Sequence, residues 1–288
     1  MKKFTKTALT VGITLFIIGI VCCVSGTLIG VEIEPVREAI LSRVDGILGN
    51  IHIRGTDLEI KNPQTEPVKL EEKYNLLVEV GACDMEIKKS LDDTFYVDGD
   101  TTYIKWEVDD DAKEVRVAGN NKLLDGNFKS VGKTIIHVPD GYCFDKVEVE
   151  VGAGELTVDY VEGNEFTLDL SAGEMTVNDI ICDKINADIS AGEMSFNNIS
   201  TDILKADCSG GQISLEGDIK DEADIDCSMG EVRLELERGK NEYNYEVDCS
   251  MGEVQIDGQS LRNGHIDNDA DTDIKVDCSM GEINIDTK

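Results

Sequence analysis

Apolar and polar residues alternate along the second half of the chain in a repeating pattern that predicts stacked β-strands. Seven copies of one phrase carry the pattern, and they read GAGELTV, SAGEMTV, SAGEMSF, SGGQISL, CSMGEVRL, CSMGEVQI and CSMGEINI. On both sides of a shared glycine every second residue is apolar, which is the period of a strand with one buried face. Successive glycines are 19, 19, 19, 19, 22 and 29 residues apart, and they are Gly154, Gly173, Gly192, Gly211, Gly230, Gly252 and Gly281. We expect each of them to mark a turn between two strands, because glycine adopts backbone angles that other residues resist.

The repeat period predicts that these units stack into a solenoid. A 19-residue unit cannot bury its apolar face alone, whereas stacked units pair with one another at a spacing of about 4.8 Å. We therefore predict an all-β fold, a parallel β-solenoid of about seven coils over residues 139–288. Residues 76–138 alternate less regularly and predict an irregular N-terminal β region that caps the first coil. That region includes a weak eighth copy of the phrase at 78–87, in which Cys83 stands in the glycine position.

The N-terminal segment predicts a membrane anchor. Residues 8–31 contain no charged side chain and are long enough to span a bilayer as one transmembrane helix. Lys2, Lys3 and Lys6 precede this segment, so residues 1–7 are expected to stay in the cytoplasm and the C-terminal domain to lie outside the cell membrane. A cleaved signal peptide is the alternative. Residues 32–75 predict a stalk helix, at 35–48, followed by a linker.

The repeats concentrate acidic residues into columns on the outer face. Residues 1–75 carry equal numbers of acidic and basic side chains, so the formal charge of −32 lies in residues 76–288. A surface of this sign disfavours nucleic acid as a partner. One predicted column precedes the glycines and consists of Asp169, Asp188, Asp207, Asp226, Asp248 and Asp277. The other follows the glycines and consists of Glu155, Glu174, Glu193, Glu231, Glu253 and Glu282. Like charges at strand spacing repel, so either solvent screens the columns or cations bind along them.

Calcium is the cation to consider, because it takes several oxygen ligands. The segment DNDADTD at 267–273 begins like an EF-hand loop and offers Asp267, Asp269, Asp271 and Asp273 as weak candidate ligands. The segment lacks the glycine at the sixth position of such a loop and the glutamate at the twelfth. A hydrated acidic face without bound calcium is the alternative, and no cofactor is predicted.

Four of the cysteines fall in an inward column with valine, leucine and isoleucine, where we expect them to act as small buried hydrophobes. These four are Cys208, Cys227, Cys249 and Cys278. Disulfides between Cys208 and Cys227, or between Cys249 and Cys278, remain open. Metal binding is not expected, because the chain has no CxxC or cysteine–histidine cluster.

The chain offers little that resembles a catalytic constellation. Its three histidines are widely scattered, and no nucleophile elbow or phosphate-binding loop is present. The carboxylates follow the repeat, as expected of a scaffold rather than an enzyme. A glycan-active enzyme is the alternative, because paired carboxylates on a parallel β-helix can cleave glycosidic bonds.

The repeat phrases GAGELTV, SAGEMTV and CSMGEV, together with the segment IIHVPDGYCFDKVEVEVGAGE before them, resemble the putative-adhesin family of bacterial β-strand-repeat proteins. This is a domain of unknown function, of the Firmicutes type. The resemblance implies a membrane-anchored, extracellular β-solenoid of the cell envelope that acts as an adhesion or interaction module toward a surface protein or glycan. A regulatory or sensory partner in envelope stress signalling is the alternative.

The chain stops seven residues after Gly281, so the last coil is also expected to expose an edge that supports self-association.

Overall fold

The structure is a computed structural model, and it describes residues 58–82, 84–101, 104–119, 133–261 and 264–288. The predicted transmembrane helix at 8–31 and the predicted stalk helix at 35–48 lie outside these residues. None of the helical segments within the described ranges has the length and apolarity needed to cross a membrane.

The described residues form β-strands joined by turns, with a 3₁₀ turn at Lys240–Glu242. The strands are β1 Asn75–Ala82, β2 Met85–Lys89, β3 Tyr96–Gly99, β4 Ile104–Asp109, β5 Glu114–Gly119, β6 Thr134–Val138, β7 Cys143–Asp159, β8 Glu162–Asn178, β9 Ile181–Cys208, β10 Gly211–Cys227, β11 Gly230–Leu236, β12 Tyr243–Cys249, β13 Gly252–Ile256, β14 Gln259–Leu261, β15 Gly264–Ile266, β16 Thr272–Cys278 and β17 Gly281–Thr287.

The seven copies of the phrase form seven coils that stack in parallel and in register. They are coil 1 (143–159), coil 2 (162–178), coil 3 (181–197), coil 4 (199–216), coil 5 (217–236), coil 6 (243–256) and coil 7 (272–287). Gly154 pairs with Gly173, Gly173 with Gly192, and Gly192 with Gly211. The predicted all-β, solenoid-like architecture is therefore confirmed.

Alternate side chains of each coil point inwards and form one continuous core. The apolar residue two positions after each glycine is at most 1% exposed, from Leu156 in coil 1 to Ile283 in coil 7. The predicted inward column of Cys208, Cys227, Cys249 and Cys278 is also buried. None of the six cysteines whose side chains are described forms a disulfide. Burial of an aliphatic side chain contributes about 1.5–3 kcal/mol, so these columns account for much of the stability of the stack.

The last coil of the sequence is not the last coil of the stack. Coil 7 pairs with coil 5 on one side, where Gly281 opposes Gly230, and with coil 6 on the other, where it opposes Gly252. The order along the stack is therefore 1, 2, 3, 4, 5, 7, 6. The expectation that the last coil exposes an edge is wrong, because both of its edges are paired. Self-association of the chain stays a prediction without this support.

Arg238 links coil 7, which is inserted between coils 5 and 6, to both of these neighbours. Its Nε donates a hydrogen bond to Asp218 in coil 5 at 2.7 Å, and its guanidinium donates to Thr272 Oγ1 in coil 7 at 3.0 Å. The same guanidinium lies 4.6 Å from the ring centroid of Tyr243 in coil 6. One side chain thus contacts all three coils and keeps coil 6 at a distance from coil 5.

The coils of the N-terminal region also stack in an order that differs from their order in the sequence. Strand β1 pairs in parallel with β5 on one side and β7 on the other, and β2 pairs with β6 and β7. The weak copy of the phrase therefore forms a coil of its own, between coil 1 and the coil made of β5 and β6. The coil made of β1 and β2 is therefore second from one end of the stack, just as coil 7 is second from the other end.

Short antiparallel strands cover both ends of the stack. Strands β3 and β4 pair with β6 and β5 at one end, and β14 and β15 pair with β13 and β12 at the other. Large rings fill the core beneath them: Phe95 lies 5.3 Å from Trp106 at one end, and Tyr243 and Tyr245 are fully buried at the other. Such caps protect the parallel edges, which would otherwise pair with other chains.

Candidate binding surface: a glycine groove beside stacked carboxylates

The predicted turn glycines lie at a corner where neighbouring coils touch. The expectation that each separates two strands is wrong for Gly154, Gly173 and Gly192, which lie inside the continuous strands β7, β8 and β9. The φ angle is +134° at Gly173 and +147° at Gly211, a region that favours glycine. A Cβ atom on Gly173 would lie 2.0 Å from the carbonyl oxygen of Gly154, and one on Gly211 would lie 1.8 Å from that of Gly192. Because no side chain fits so close to a backbone oxygen, the corner remains a bare ladder of backbone.

This ladder is the floor of an open groove along coils 1 to 5, which we call the glycine groove. Its volume is about 840 Å³. The lining residues are the corner glycines Gly154, Gly173, Gly192, Gly211 and Gly230, the side chains Glu155, Glu174, Glu193, Gln212 and Glu231, and Asp84. The groove therefore repeats the same two groups, a peptide backbone and a carboxylate, at every coil but the one that carries Gln212.

The predicted glutamate column runs in register through all seven coils. Glu155, Glu174 and Glu193 are paired in the sheet, and the column continues through Gln212 to Glu231, Glu282 and Glu253. Glutamates of the later coils have partners on their own strands, such as Arg233 Nη2 on Glu231 at 2.8 Å. Within the described ranges, the exposed carboxylates of Glu174 and Glu193 make no hydrogen bond or ion pair. These two carboxylates are free to receive a ligand.

The predicted aspartate column is in register as well, in the order Asp169, Asp188, Asp207, Asp226, Asp277 and Asp248. Desolvation by neighbouring atoms and then repulsion from Asp188 raise the pKa of Asp207 above its ordinary value. Desolvation, followed by repulsion from an aspartate on an adjacent coil, also raises the pKa values of Asp188, Asp226 and Asp277. Keeping these aspartates ionised therefore lowers the stability of the folded protein.

A third ladder shows how the fold relieves such repulsion. Asn178 Nδ2 donates to Asp159 Oδ1 at 2.5 Å, and Asn197 Nδ2 donates to Asn178 Oδ1 at 2.8 Å. An amide between two coils therefore replaces a charge repulsion with a hydrogen bond. The repeat spacing of 19 residues in the sequence predicts this third column, which continues through Glu216, Glu235, Asp257 and Asp286.

The replacement Asp207→Asn is expected to stabilise the protein at neutral pH. Like charges on adjacent strands cost roughly 0.2–1 kcal/mol, so the melting temperature should rise by about 1–3 °C. An aspartate with a raised pKa contributes stability below its ordinary pKa of 3.8, and this contribution is lost as the pH rises through the raised value. The gain from Asp207→Asn should therefore shrink as the pH falls from 7 to about 4.

Thermal melts of Asp207→Asn at several pH values test this, with Asp221→Asn as the control. Asp221 is exposed and lies outside the columns, so its replacement changes the net charge equally. An equal gain from both variants, independent of pH, would show that net charge rather than the column is responsible.

The candidate calcium loop is organised by its own hydrogen bonds. The backbone N–H of Asp269 donates to Asp267 Oδ1 at 3.0 Å, and Asn244 Nδ2 donates to Asp273 Oδ1 at 2.9 Å. Nowhere in the described ranges do three or more histidine, cysteine, aspartate or glutamate side chains come together in a way that would hold a metal ion. The structure therefore does not bring Asp267, Asp269, Asp271 and Asp273 together as one such group.

Comparison with protein families places this stack of coils in a known group. The family described as Toastrack DUF4097 matches residues 55–287. The chain belongs to the Toastrack family. The match covers every coil of this Toastrack chain and both of its capped ends, and it bears out the resemblance found in the repeat phrases. Comparison with curated proteins finds no significant relative.

Several solved structures are similar to this Toastrack chain at low identity. A protein described as a putative cell adhesion protein from Clostridium sporogenes is 16% identical, with a TM-score of 0.37, and the match covers 79% of this chain and 100% of that one. A putative adhesin from Parabacteroides distasonis is 14% identical, with a TM-score of 0.41 and coverage of 77% and 95%. A putative lipid binding protein from the same species is 15% identical, with a TM-score of 0.39 and coverage of 81% and 98%.

Proposed function

We propose that this Toastrack chain is a non-enzymatic binding module of the bacterial cell envelope that holds an extended, positively charged component of a surface. In this proposal, the helix predicted from the sequence at 8–31 anchors the chain in the membrane, and the stack is displayed outside. The observation that carries the proposal is the glycine groove, in which carboxylates line a floor of bare backbone over several successive coils.

The shape of the groove favours an extended ligand over a compact one. Five corner glycines at a spacing of about 4.8 Å give a floor about 19 Å long. The absence of side chains along this floor lets a ligand approach the backbone closely, and the unpaired carboxylates of Glu174 and Glu193 attract cationic groups. A basic peptide segment and a glycan with free amines share this chemistry.

The two histidines of the described residues support a binding role. His137 stacks on Tyr96 with the ring centroids 4.2 Å apart, and its Nε2 lies 3.3 Å from Asp98 Oδ2. His265 lies in β15, which covers the far end of the stack. Neither lines the glycine groove, so neither is placed to act on a ligand held there.

Binding of the full chain in lipid nanodiscs to a lysine-rich peptide, and to an oligomer of glucosamine with free amines, tests the proposal. We expect at least one of them to bind, more weakly as salt increases. Glu174→Gln with Glu193→Gln should lower the affinity by about threefold to tenfold, since each exposed ion pair contributes about 0.2–1 kcal/mol.

The matched control is Glu216→Gln with Glu235→Gln. These two residues are neighbours in register on a different column and are exposed, so the pair removes the same charge from another part of the surface. If both pairs weaken binding equally, or if neither cationic ligand binds, the groove is not the binding surface.

A further inference from the structure

Four thiols form a continuous line inside the C-terminal end of the stack, which we call the thiol ladder. Along the stack they follow the order Cys208, Cys227, Cys278, Cys249, and each is in register with the next. They are between 2% and 7% exposed. The same inward position is aliphatic in coils 1 to 3, where it is occupied by Val151, Leu170 and Ile189.

Neighbouring thiols in the ladder occupy the same position on adjacent strands and influence one another's pKa. A hydrogen bond between Cys208 and Cys227 lowers the pKa of Cys208 and raises that of Cys227. Cys278 hydrogen bonds to both Cys227 and Cys249, and burial followed by these neighbours raises its pKa to about 12. The four thiols therefore follow one another along the stack axis, and the Cys249 thiol also donates to the carbonyl oxygen of Gly281 at 3.7 Å.

The spacing of the ladder fits a bridging ion better than a disulfide. In parallel strands in register, equivalent Cβ atoms are separated by the strand spacing of about 4.8 Å. A disulfide requires a Cβ–Cβ distance of about 3.5–4.5 Å, so it would draw the two coils locally closer than the strand spacing. A zinc–thiolate bond is about 2.3 Å long, and a linear sulfur–metal–sulfur unit with bonds of about this length spans about 4.6 Å.

A second group of sulfur atoms lies at the corner of the same coils. Met229, Met280 and Met251 each precede the corner glycine of their coil, and those glycines are in register. Met229 and Met251 are 41% and 48% exposed. Coils 1 to 3 carry Ala153, Ala172 and Ala191 at this position. Thioethers on the outer surface and thiols in the core thus occur together at one end of the stack, and thiolate and thioether are the donors that select soft ions such as Cu(I).

We propose that the thiol ladder binds a soft, thiophilic ion of the Cu(I) class, with one ion between Cys208 and Cys227 and a second between Cys278 and Cys249. Each ion displaces two thiol protons to solvent and forms two metal–sulfur bonds, and no electron is transferred. Tetrahedral zinc has no such site within the described ranges, where no three suitable ligands converge. The exposed methionines offer such an ion a first contact on the outer surface.

The site escapes the usual sequence signals because its ligands come from different coils. Cys208 and Cys227 are 19 residues apart, and Cys249 and Cys278 are 29 residues apart. A CxxC motif places both ligands on one turn, whereas the ladder places them on adjacent strands. The proposal does not depend on the binding function proposed for the glycine groove.

Anaerobic titration of the full chain with Cu(I), supplied as its acetonitrile complex, tests the proposal. The ladder variant replaces Cys208, Cys227, Cys249 and Cys278 by valine, which occupies the same column in coil 1. We expect it to bind two fewer ions than the parent chain, and each pair replaced separately should remove one ion. X-ray absorption of the loaded parent should show two sulfur ligands for each ladder-bound copper.

The control replaces Cys143 and Cys182, which lie outside the ladder, by alanine and should retain both ladder ions. Circular dichroism monitors the β-structure throughout. The proposal is overturned if the ladder variant binds as many ions as its parent, or if copper binds to the ladder only as the β signal is lost. The separate pair variants keep the test decisive if the fourfold variant does not fold.

Discussion

Replacement of Gly211 by alanine is expected to destabilise the protein by more than about 4 kcal/mol, which corresponds to at least about 10 °C in melting temperature. The residue has a φ angle of +147°, and an added Cβ would lie 1.8 Å from the carbonyl oxygen of Gly192. The strained backbone alone costs about 1–3 kcal/mol. The clash is more serious, because the oxygen belongs to the neighbouring coil and cannot move unless the two coils separate.

The adjacent Gly210 provides a matched control. Its φ angle is not in the left-handed region, and an added Cβ would have its nearest neighbours at 3.9 Å. Coils 2 and 3 carry Ala172 and Ala191 at the equivalent position. Gly210→Ala is therefore expected to change stability by less than about 1 kcal/mol. Similar losses for the two variants in chemical denaturation would mean that the corner does not require glycine.

Deletion of the last coil is expected to release two coils rather than one. Coil 7 buries Ile274, Val276, Cys278, Ile283 and Ile285, a contribution on the order of 10 kcal/mol before opposing terms. Its loss also leaves coil 6 without its parallel neighbour. Coil 6 cannot simply close onto coil 5, because Arg238 lies between Asp218 and the ring of Tyr243. A chain ending at residue 271 should therefore be no more stable than a chain ending at residue 236.

Thermal melts of the two truncated chains, together with hydrogen exchange of residues 243–256, measure this effect. In the chain ending at 271, we expect those amides to exchange at the rate of an unfolded segment. A melting temperature clearly above that of the chain ending at 236, with protected amides in coil 6, would indicate that coil 6 stacks directly on coil 5. Stacking in sequence order would produce that result.

The repeat phrase was sufficient to predict the coils, their register and their buried columns. Each property depends on a local alternation, such as the buried Leu156 and Val158 on either side of Thr157, and the shared glycine fixes the phase between coils. The acidic columns follow directly from this register. A residue between two inward positions must point outward when the strand period is two.

The order of the coils could not be predicted in this way. Coils 5, 6 and 7 all carry the phrase CSMGE, so Gly281 matches Gly230 and Gly252 equally well. What distinguishes them is non-local: Arg238 reaches Thr272, and the two tyrosines of coil 6 fill the end of the core. The order of Cys227, Cys278 and Cys249 in the thiol ladder depends on the same non-local arrangement.

Crosslinking of paired cysteines tests the central claim, which is a stack in register with coil 7 inserted between coils 5 and 6. Arg233 is in register with Asn284, and Asn284 with Gln255, on the outward face of the three coils. With cysteine at both positions, the pairs 233–284 and 284–255 should be joined by a short bifunctional thiol reagent across about 5 Å, whereas the pair 233–255, about 10 Å apart, should not. Efficient crosslinking of 233 to 255, without crosslinking of 233 to 284, would contradict the account.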